Sequence, residues 1–483
     1  MSEGRRQYFS RALAAVKERL APGPAPASRS LAYPRLSTIR QTGQVIKKSV
    51  CIATPDIAGP SRNGGIGSAY AELAELLARE GHDVTVAYLR GEEVDDGSVG
   101  DWIEHYAKKH IALVPVADAA HKDDFGLAGE PALQTSYNLF VHLLGERYDL
   151  VHVSEWRGAG YFSLVAKHLR LAFADRIFAV KSSSPREWVL ESVGRKIAPS
   201  DRSIIEAERG SIALADLVIG GSNHLLAWMT ARGFAMPAGR VFAQPNVMAP
   251  PLPNPARRAG ERVPVTELVF FGRLEPRKGL AVFCDAVEAV ARKSGSFPAT
   301  TFLGKEGMAM RDGEPSVQWL RKRTAGWSPK PNLQLAYDRY AALTYLQAEG
   351  RLAVMPSLIE NSSIAVYEAL LAHLPFVASD VGGTPELVAA QDQAEVLVEP
   401  HAESLARKLD RALRHGALVP HPSFDNGENL KTWTDFHHLP NSAILEQIYP
   451  VKDAQEPAPA WSQPFWRLAE PAIIRKIAEL RKV

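Results

Sequence analysis

Cysteine is nearly missing from this chain, which has two, Cys51 and Cys284, among 483 residues. Cys51 sits in an apolar strand-like run and Cys284 in a helical one, so both read as buried thiols and a disulfide scaffold is excluded. An excess of one charge is missing too: 56 basic against 54 acidic residues leave a net +2, which gives no global attraction to nucleic acid. No apolar run reaches the roughly 20 residues of a membrane span, and no signal-peptide core opens the chain. The expectation is a cytoplasmic protein. No His, Asp or Glu cluster has metal-ligand spacing; Asp95-Asp96 and Asp123-Asp124 fall in polar loops and read as solvated charge. Neither a metal nor a cofactor is expected. What is present, 46% hydrophobic and 23% charged residues, is ordinary for a folded globular chain, and the length suits two or three domains.

Residues 1–45 read as an extension. Phe9, Leu13, Val16 and Leu20 share one side of a helix, with Arg5, Arg6, Lys17 and Arg19 interleaved, and Ala21–Ser30 is a Pro/Ala/Ser linker. Such a helix either rests on an anionic membrane surface or docks on its own domain or stays a tail. From Lys48 strands and helices alternate: strands at Ser49–Ala53, Asp83–Tyr88, Leu150–Val153, Ile177–Val180, Leu217–Gly220 and Val241–Ala243 are separated by helical runs. That pattern predicts a doubly wound parallel sheet over 46–245. Six prolines between Gln244 and Pro264 mark a linker over 246–264. A second α/β unit follows over 265–420, and a tail over 421–483 holds Trp433, Trp461, Trp466 and a helical Pro471–Leu480. The least legible stretch is Gly91–Pro131.

Three motifs carry chemistry. Leu352–Ser357 reads as a strand, after which Glu360 falls on the loop, Asn361, Ser362 and Ser363 are N-cap residues, and Glu368 lies about two turns inside the helix. Free N–H groups at such a start attract phosphate, and carboxylates on either side accept hydrogen bonds from sugar hydroxyls. A phosphate with sugar on both sides is a nucleotide-sugar. Thr266–Phe271 is a second buried strand, followed by Gly272-Arg273-Leu274-Glu275-Pro276-Arg277-Lys278-Gly279, which puts Arg273 and Lys278 at a strand's carboxyl end to meet a diphosphate. The ordinary alternative is a surface loop with one basic residue paired to Glu275. Gly64-Gly65-Ile66-Gly67 follows the first strand, where glycines admit a phosphate or sugar close to the backbone. A dinucleotide fingerprint is disfavoured: the third glycine is missing and the second strand ends without an acid.

These motifs resemble the retaining GT-B glycosyltransferases, specifically family 4. There a Gly-Arg…Lys-Gly loop and a Glu-x7-Glu element precede a small-residue turn, here Ser379-Asp380-Val381-Gly382-Gly383-Thr384-Pro385-Glu386. The resemblance spans roughly residues 48–400. It implies two Rossmann-like domains facing across a cleft, with the last helices crossing back onto the first. It also implies sugar transfer, with retention, from a nucleoside-diphosphate sugar to a glycan, glycoconjugate or lipid-linked acceptor. By the resemblance Arg273 and Lys278 hold the diphosphate and Glu360 the donor sugar. Asn361, Ser362 and Ser363 face phosphate and sugar, Glu368 the ribose, and Gly64, Gly65, Ile66 and Gly67 the donor from the acceptor side. One departure stands out: the family's second histidine in His-x-His is Ser154 here. Either Glu155, Arg157 or Lys181 replaces it, or turnover is slow, or the protein is a non-catalytic relative. A nucleotide-sugar epimerase of the same architecture is a further alternative. Trp156 either packs in the cleft wall or stacks on an acceptor sugar, and His152 reads as a hydrogen-bonded core histidine.

Overall fold

Strand β1 (Ser49–Thr54) shows how the first half is built. Val50 and Ile52 join one apolar cluster and Cys51 and Ala53 another, so the strand is covered on both faces, as parallel strands flanked by helices are. The protein is seen here as a computed structural model that describes residues 32–449 except 42, 44, 62–64, 119–130, 251–256 and 311, together with 473, 474, 476 and 477. The expected basic helix and its linker, Asp123-Asp124, Trp461, Trp466 and most of the expected last helix lie outside the described residues.

β1 pairs in parallel with β2 (Asp83–Tyr88) and β4 (Leu150–Ser154). With β3 (Ile111–Pro115), β5 (Ile177–Ser182), β6 (Leu217–Gly220) and β7 (Val241–Ala243) they form a seven-stranded sheet of order β3-β2-β1-β4-β5-β6-β7. The second half contains β8 (Arg262–Val263), β9 (Glu267–Phe271), β10 (Ala299–Leu303), β11 (Asn332–Gln334), β12 (Arg351–Met355), β13 (Phe376–Ser379), β14 (Leu397–Val398) and β15 (Ala417–Leu418). Six of these form a parallel sheet of order β11-β10-β9-β12-β13-β14, and β8 pairs antiparallel with β15. The α/β class of two doubly wound parallel sheets is therefore as the alternation implied. β3 and the helix Val99–Ala107 fall in the stretch that gave no pattern. β3 is a short edge strand ending in Pro115, a place where proline costs no ladder bond.

Tyr33–Val483 forms one compact unit. After β15 the chain runs into the helix Asn426–His438, capped by Asp425, and then into Asn441–Ile448. Trp433, Phe436, Ile444 and Ile448 from these helices bury themselves in the apolar cluster beneath the first sheet, and Trp433 Nε1 donates to Pro245 O at 2.9 Å. His152 in β4 is fully buried, and its Nε2 lies 2.9 Å from His437 Nε2 in this helix. It is a core histidine.

Strand order decides where a ligand can sit. In each parallel sheet the order in which strands are added reverses once, between β1 and β4 and between β9 and β12. Ligands of open α/β sheets bind outside the carboxyl ends of strands at such a switch point. The glycine loop follows β1, Ser154 and Glu155 end β4, the Gly272–Gly279 loop follows β9, and Glu360 follows β12. These motifs lie at the two switch points, and the small-residue turn follows β13, the next strand in the second sheet.

Candidate active site

The wall made by the second sheet is shaped by glycines without room for a side chain. Gly279 has φ +77°, and a Cβ there would lie 1.8 Å from Pro356 O. Gly382 has φ +59°, and its Cβ would lie 1.6 Å from Glu360 O. Both hold the loop after β12 against its neighbours, and only glycine combines a left-handed backbone with such proximity. On that frame Lys278 Nζ pairs with Glu360 Oε1, which also accepts the Ser357 hydroxyl at 2.8 Å. Burial would drive the Glu360 carboxyl up, but the Lys278 ammonium and the Arg277 guanidinium overcome it and hold the group below its ordinary value. Burial presses the Lys278 ammonium downward.

Of the neighbouring cations, Arg277 lies 3.0 Å from Glu275 Oε1 and Arg273 3.7 Å. The basic residue paired to Glu275 is thus chiefly Arg277, and Arg273, 40% exposed, is the looser of the two. Ser363 caps the helix Ile364–Leu371 through its Oγ and Val366 N–H. Among the described residues no group of three or more His, Cys, Asp and Glu is placed to hold a metal ion.

The two halves touch at this helix start. A Cβ on Gly65 would lie 3.1 Å from Ile364 Cγ1, and one on Gly221 would lie 3.3 Å from Ser362 Cβ. Asn361 accepts the Ser222 hydroxyl at 2.6 Å and donates through Nδ2 to Ser183 O at 2.6 Å. Gly65 opens the helix Gly65–Arg79, Ile66 is half-buried, Gly67 is buried, and Gly64 lies outside the described residues. Glu386 reaches across from the second half, where its oxygens accept the N–H groups of Asn223 and His224 at 2.8 and 2.7 Å. It thereby closes the N-terminus of the helix Asn223–Ala231.

The wall made by the first sheet is organised differently. Glu155 is fully buried, and its Oε1 accepts the N–H groups of Ser183 and Ser184 at 2.7 and 2.6 Å. Ser154 is also buried, donating to Glu155 Oε2 at 3.2 Å and accepting Trp156 N–H at 3.1 Å. Burial lifts the Glu155 carboxyl to about 6 against those hydrogen bonds. Lys181 is pushed down to about 8 by burial, partly offset by Glu155. Its Nζ donates to Asn246 and lies 5.8 Å from the centre of the Tyr70 ring. Trp156 is half-buried and Arg157 exposed, with its N–H held by Glu208 at 2.9 Å. The structure therefore places Ser154 and Glu155 inside the loop scaffold, and Lys181 on Asn246, which with Ser362 flanks Gly221 at the seam.

Glu368 is buried, and its Oε1 lies 2.8 Å from Arg339 Nε. Arg339 also bonds Glu72 Oε1, and Glu72 Oε2 accepts Ala249 N–H at 2.8 Å. Burial, offset by Arg339 and reinforced by Glu72, raises the Glu368 carboxyl to about 7. Glu72 and Arg339 escaped the sequence reading, and Glu386 was read only as part of the small-residue turn. Each works across a seam between segments far apart in the chain, and no local spacing signals that.

The comparisons agree on both halves. Residues 64–247 match the family described as Glycosyl transferase 4-like domain, and residues 266–415 the family described as Glycosyl transferases group 1. A glycogen synthase of Mycobacterium tuberculosis is 25% identical over 337 residues, covering 67% of this chain and 76% of the relative. Two solved structures share the fold. Sucrose-phosphate synthase from Thermosynechococcus elongatus has a TM-score of 0.54 at 18% identity, over 88% of this chain and 99% of that one. The catalytic domain of starch synthase IV from Arabidopsis thaliana, bound to ADP and acarbose, has a TM-score of 0.52 at 13% identity, over 90% and 100%. With its paired sheets, its switch-point motifs and matches on both halves, the chain belongs to the group 1, family-4-like branch of the retaining GT-B glycosyltransferases.

Proposed function

We propose that the cleft binds a nucleoside-diphosphate sugar and transfers its sugar, with retention, to a hydroxyl of a glycan, glycoconjugate or lipid-linked acceptor. The observation that carries the residue roles is the Lys278–Glu360 pair at the β9/β12 switch point, directly below the helix start capped by Ser363. Lys278 and Arg273 neutralise the diphosphate. The backbone at Asn361–Ser363 turns toward the phosphate. Glu360 exchanges Lys278 for the hydroxyls of the donor sugar, and Glu368 accepts those of the ribose. The glycine loop at Gly65–Gly67 closes on the donor from the other side.

In the reaction the bond from the anomeric carbon to the phosphate oxygen breaks, and the acceptor oxygen bonds that carbon on the same face. The acceptor's proton passes to the departing phosphate. No side-chain base is needed, which accommodates a buried Ser154 where relatives carry histidine. Charge developing on the leaving group is met by Lys278, Arg273 and the helix start, so turnover proceeds without added metal. Lys181, beside Asn246, lines the acceptor side.

The test is release of nucleoside diphosphate from UDP-, ADP- and GDP-sugars by the wild type and by Lys278→Ala and Glu360→Ala. ADP-glucose comes first because the starch synthase of the same fold carries ADP. Near-full turnover in both variants discards these roles.

A further inference from the structure

We infer that Arg339 is a positioning residue for the donor's ribose, acting by orienting the Glu368 carboxylate; this rests on the reading of Glu368 as the ribose contact. Arg339 opens the helix Arg339–Gln347, whose N-cap is Asp338. Its Nε faces Glu368 Oε1 at 2.8 Å, and its Nη1 faces Glu72 Oε1. The planar guanidinium is hydrogen-bonded to Glu72 on one edge and ion-paired to Glu368 on another. Glu72 is fixed in turn, because its second oxygen holds Ala249 N–H on the segment between the halves. The Glu368 side chain, 11% exposed, therefore has Oε1 set against Arg339.

Charge points the same way. Glu72 and Glu368 share one cation, and without it two carboxylates would face each other in a buried place. Such a pair takes up a proton, and a neutral carboxyl is a poorer acceptor for sugar hydroxyls than a carboxylate. Arg339 thus opposes the rise that burial and Glu72 impose on Glu368 and sets the side of the carboxyl that faces the ribose. Nothing in the local sequence marks it, since it is neither in the Glu-x7-Glu element nor in the Gly-Arg…Lys-Gly loop.

The experiment is titration calorimetry of the full chain with UDP, ADP and GDP, followed by the same titration of variants with the nucleotide that binds tightest. Arg339→Ala weakens that nucleotide about tenfold, and Arg339→Lys, which keeps the charge but loses the planar fork, still binds it about threefold to fivefold more weakly than wild type. In a Glu368→Gln background Arg339→Ala costs less than about threefold, because the guanidinium acts through the carboxylate. The inference is overturned if Arg339→Ala leaves affinity unchanged or tightens it, or if the full tenfold loss persists in the Glu368→Gln background. If Glu368→Gln itself changes nothing, or none of the three nucleotides binds the wild type, it is the donor-site reading that fails. Circular-dichroism melts of each variant identify misfolding, and Arg339→Lys carries the test if Arg339→Ala does not fold.

Discussion

The two walls of the cleft treat buried charge in opposite ways. On the second-sheet wall, Lys278 and Glu360 come from neighbouring strand ends and satisfy each other side chain to side chain. On the first-sheet wall, Glu155 and Glu208 give their oxygens to backbone N–H groups of Ser183, Ser184, Arg157 and Arg186. A side-chain ion pair can be exchanged for a charged ligand at little structural cost. A carboxylate that fixes backbone cannot leave without orphaning the donors it holds. The first arrangement suits a site that opens to a diphosphate and the second a scaffold that shapes a loop.

The contrast is most exposed to attack at the Lys278–Glu360 end. Removing Lys278 or Glu360 should lower donor turnover by about 10²–10³-fold; initial rates within about fivefold of wild type in both would break the comparison there. Next comes Glu155→Ala, which leaves the N–H groups of Ser183 and Ser184 unpaired. It should cost about 3 kcal/mol, read as a drop in the urea midpoint, and a cost under about 0.5 kcal/mol would return Glu155 to the ligand-facing side. Ser154→His should cost about 1–3 kcal/mol by overpacking a fully buried position and should not raise turnover. A gain in rate would mean that the missing histidine matters after all.

Acid sharpens the comparison from the far side of the first sheet. Burial depresses His82 to about 4 and His152 to about 3. Because these values lie below that of an unfolded histidine, their contribution is present above about pH 6.5. It is lost as pH falls from there, through about 4 for His82 and about 3 for His152. The melting temperature should decline across that window, and His82→Gln should flatten the decline. The smallest effect expected is at the exposed Lys108–Glu104 pair, where Glu104→Ala should shift stability by less than about 0.5 kcal/mol.

Legibility followed distance along the chain. The Ser363 cap, the charges flanking β9 and the glycines after β1 could be read because each needs only neighbours a few residues away. The small-residue turn at Gly382 was readable as a pattern, although its purpose, room for the Glu360 carbonyl, appears only in three dimensions. Glu155 looked like a free acid beside the missing histidine, and its true partners are N–H groups nearly thirty positions on. β3 and the helix Val99–Ala107 had too weak an alternation to be seen, since an edge strand buries only part of its length.

By itself, then, the sequence determined the two parallel sheets and the order of motifs along them, because hydrophobic alternation, caps and glycine turns are local preferences of the chain. Only the tertiary structure decided that Glu72 and Glu368 share Arg339, that Glu386 closes a helix in the other half, and that His152 meets His437 in the core. Those pairings depend on how the elements, the halves and the last helices come together, and side chains about 30 to nearly 300 residues apart carry no local record of a contact that forms only when both surfaces are built.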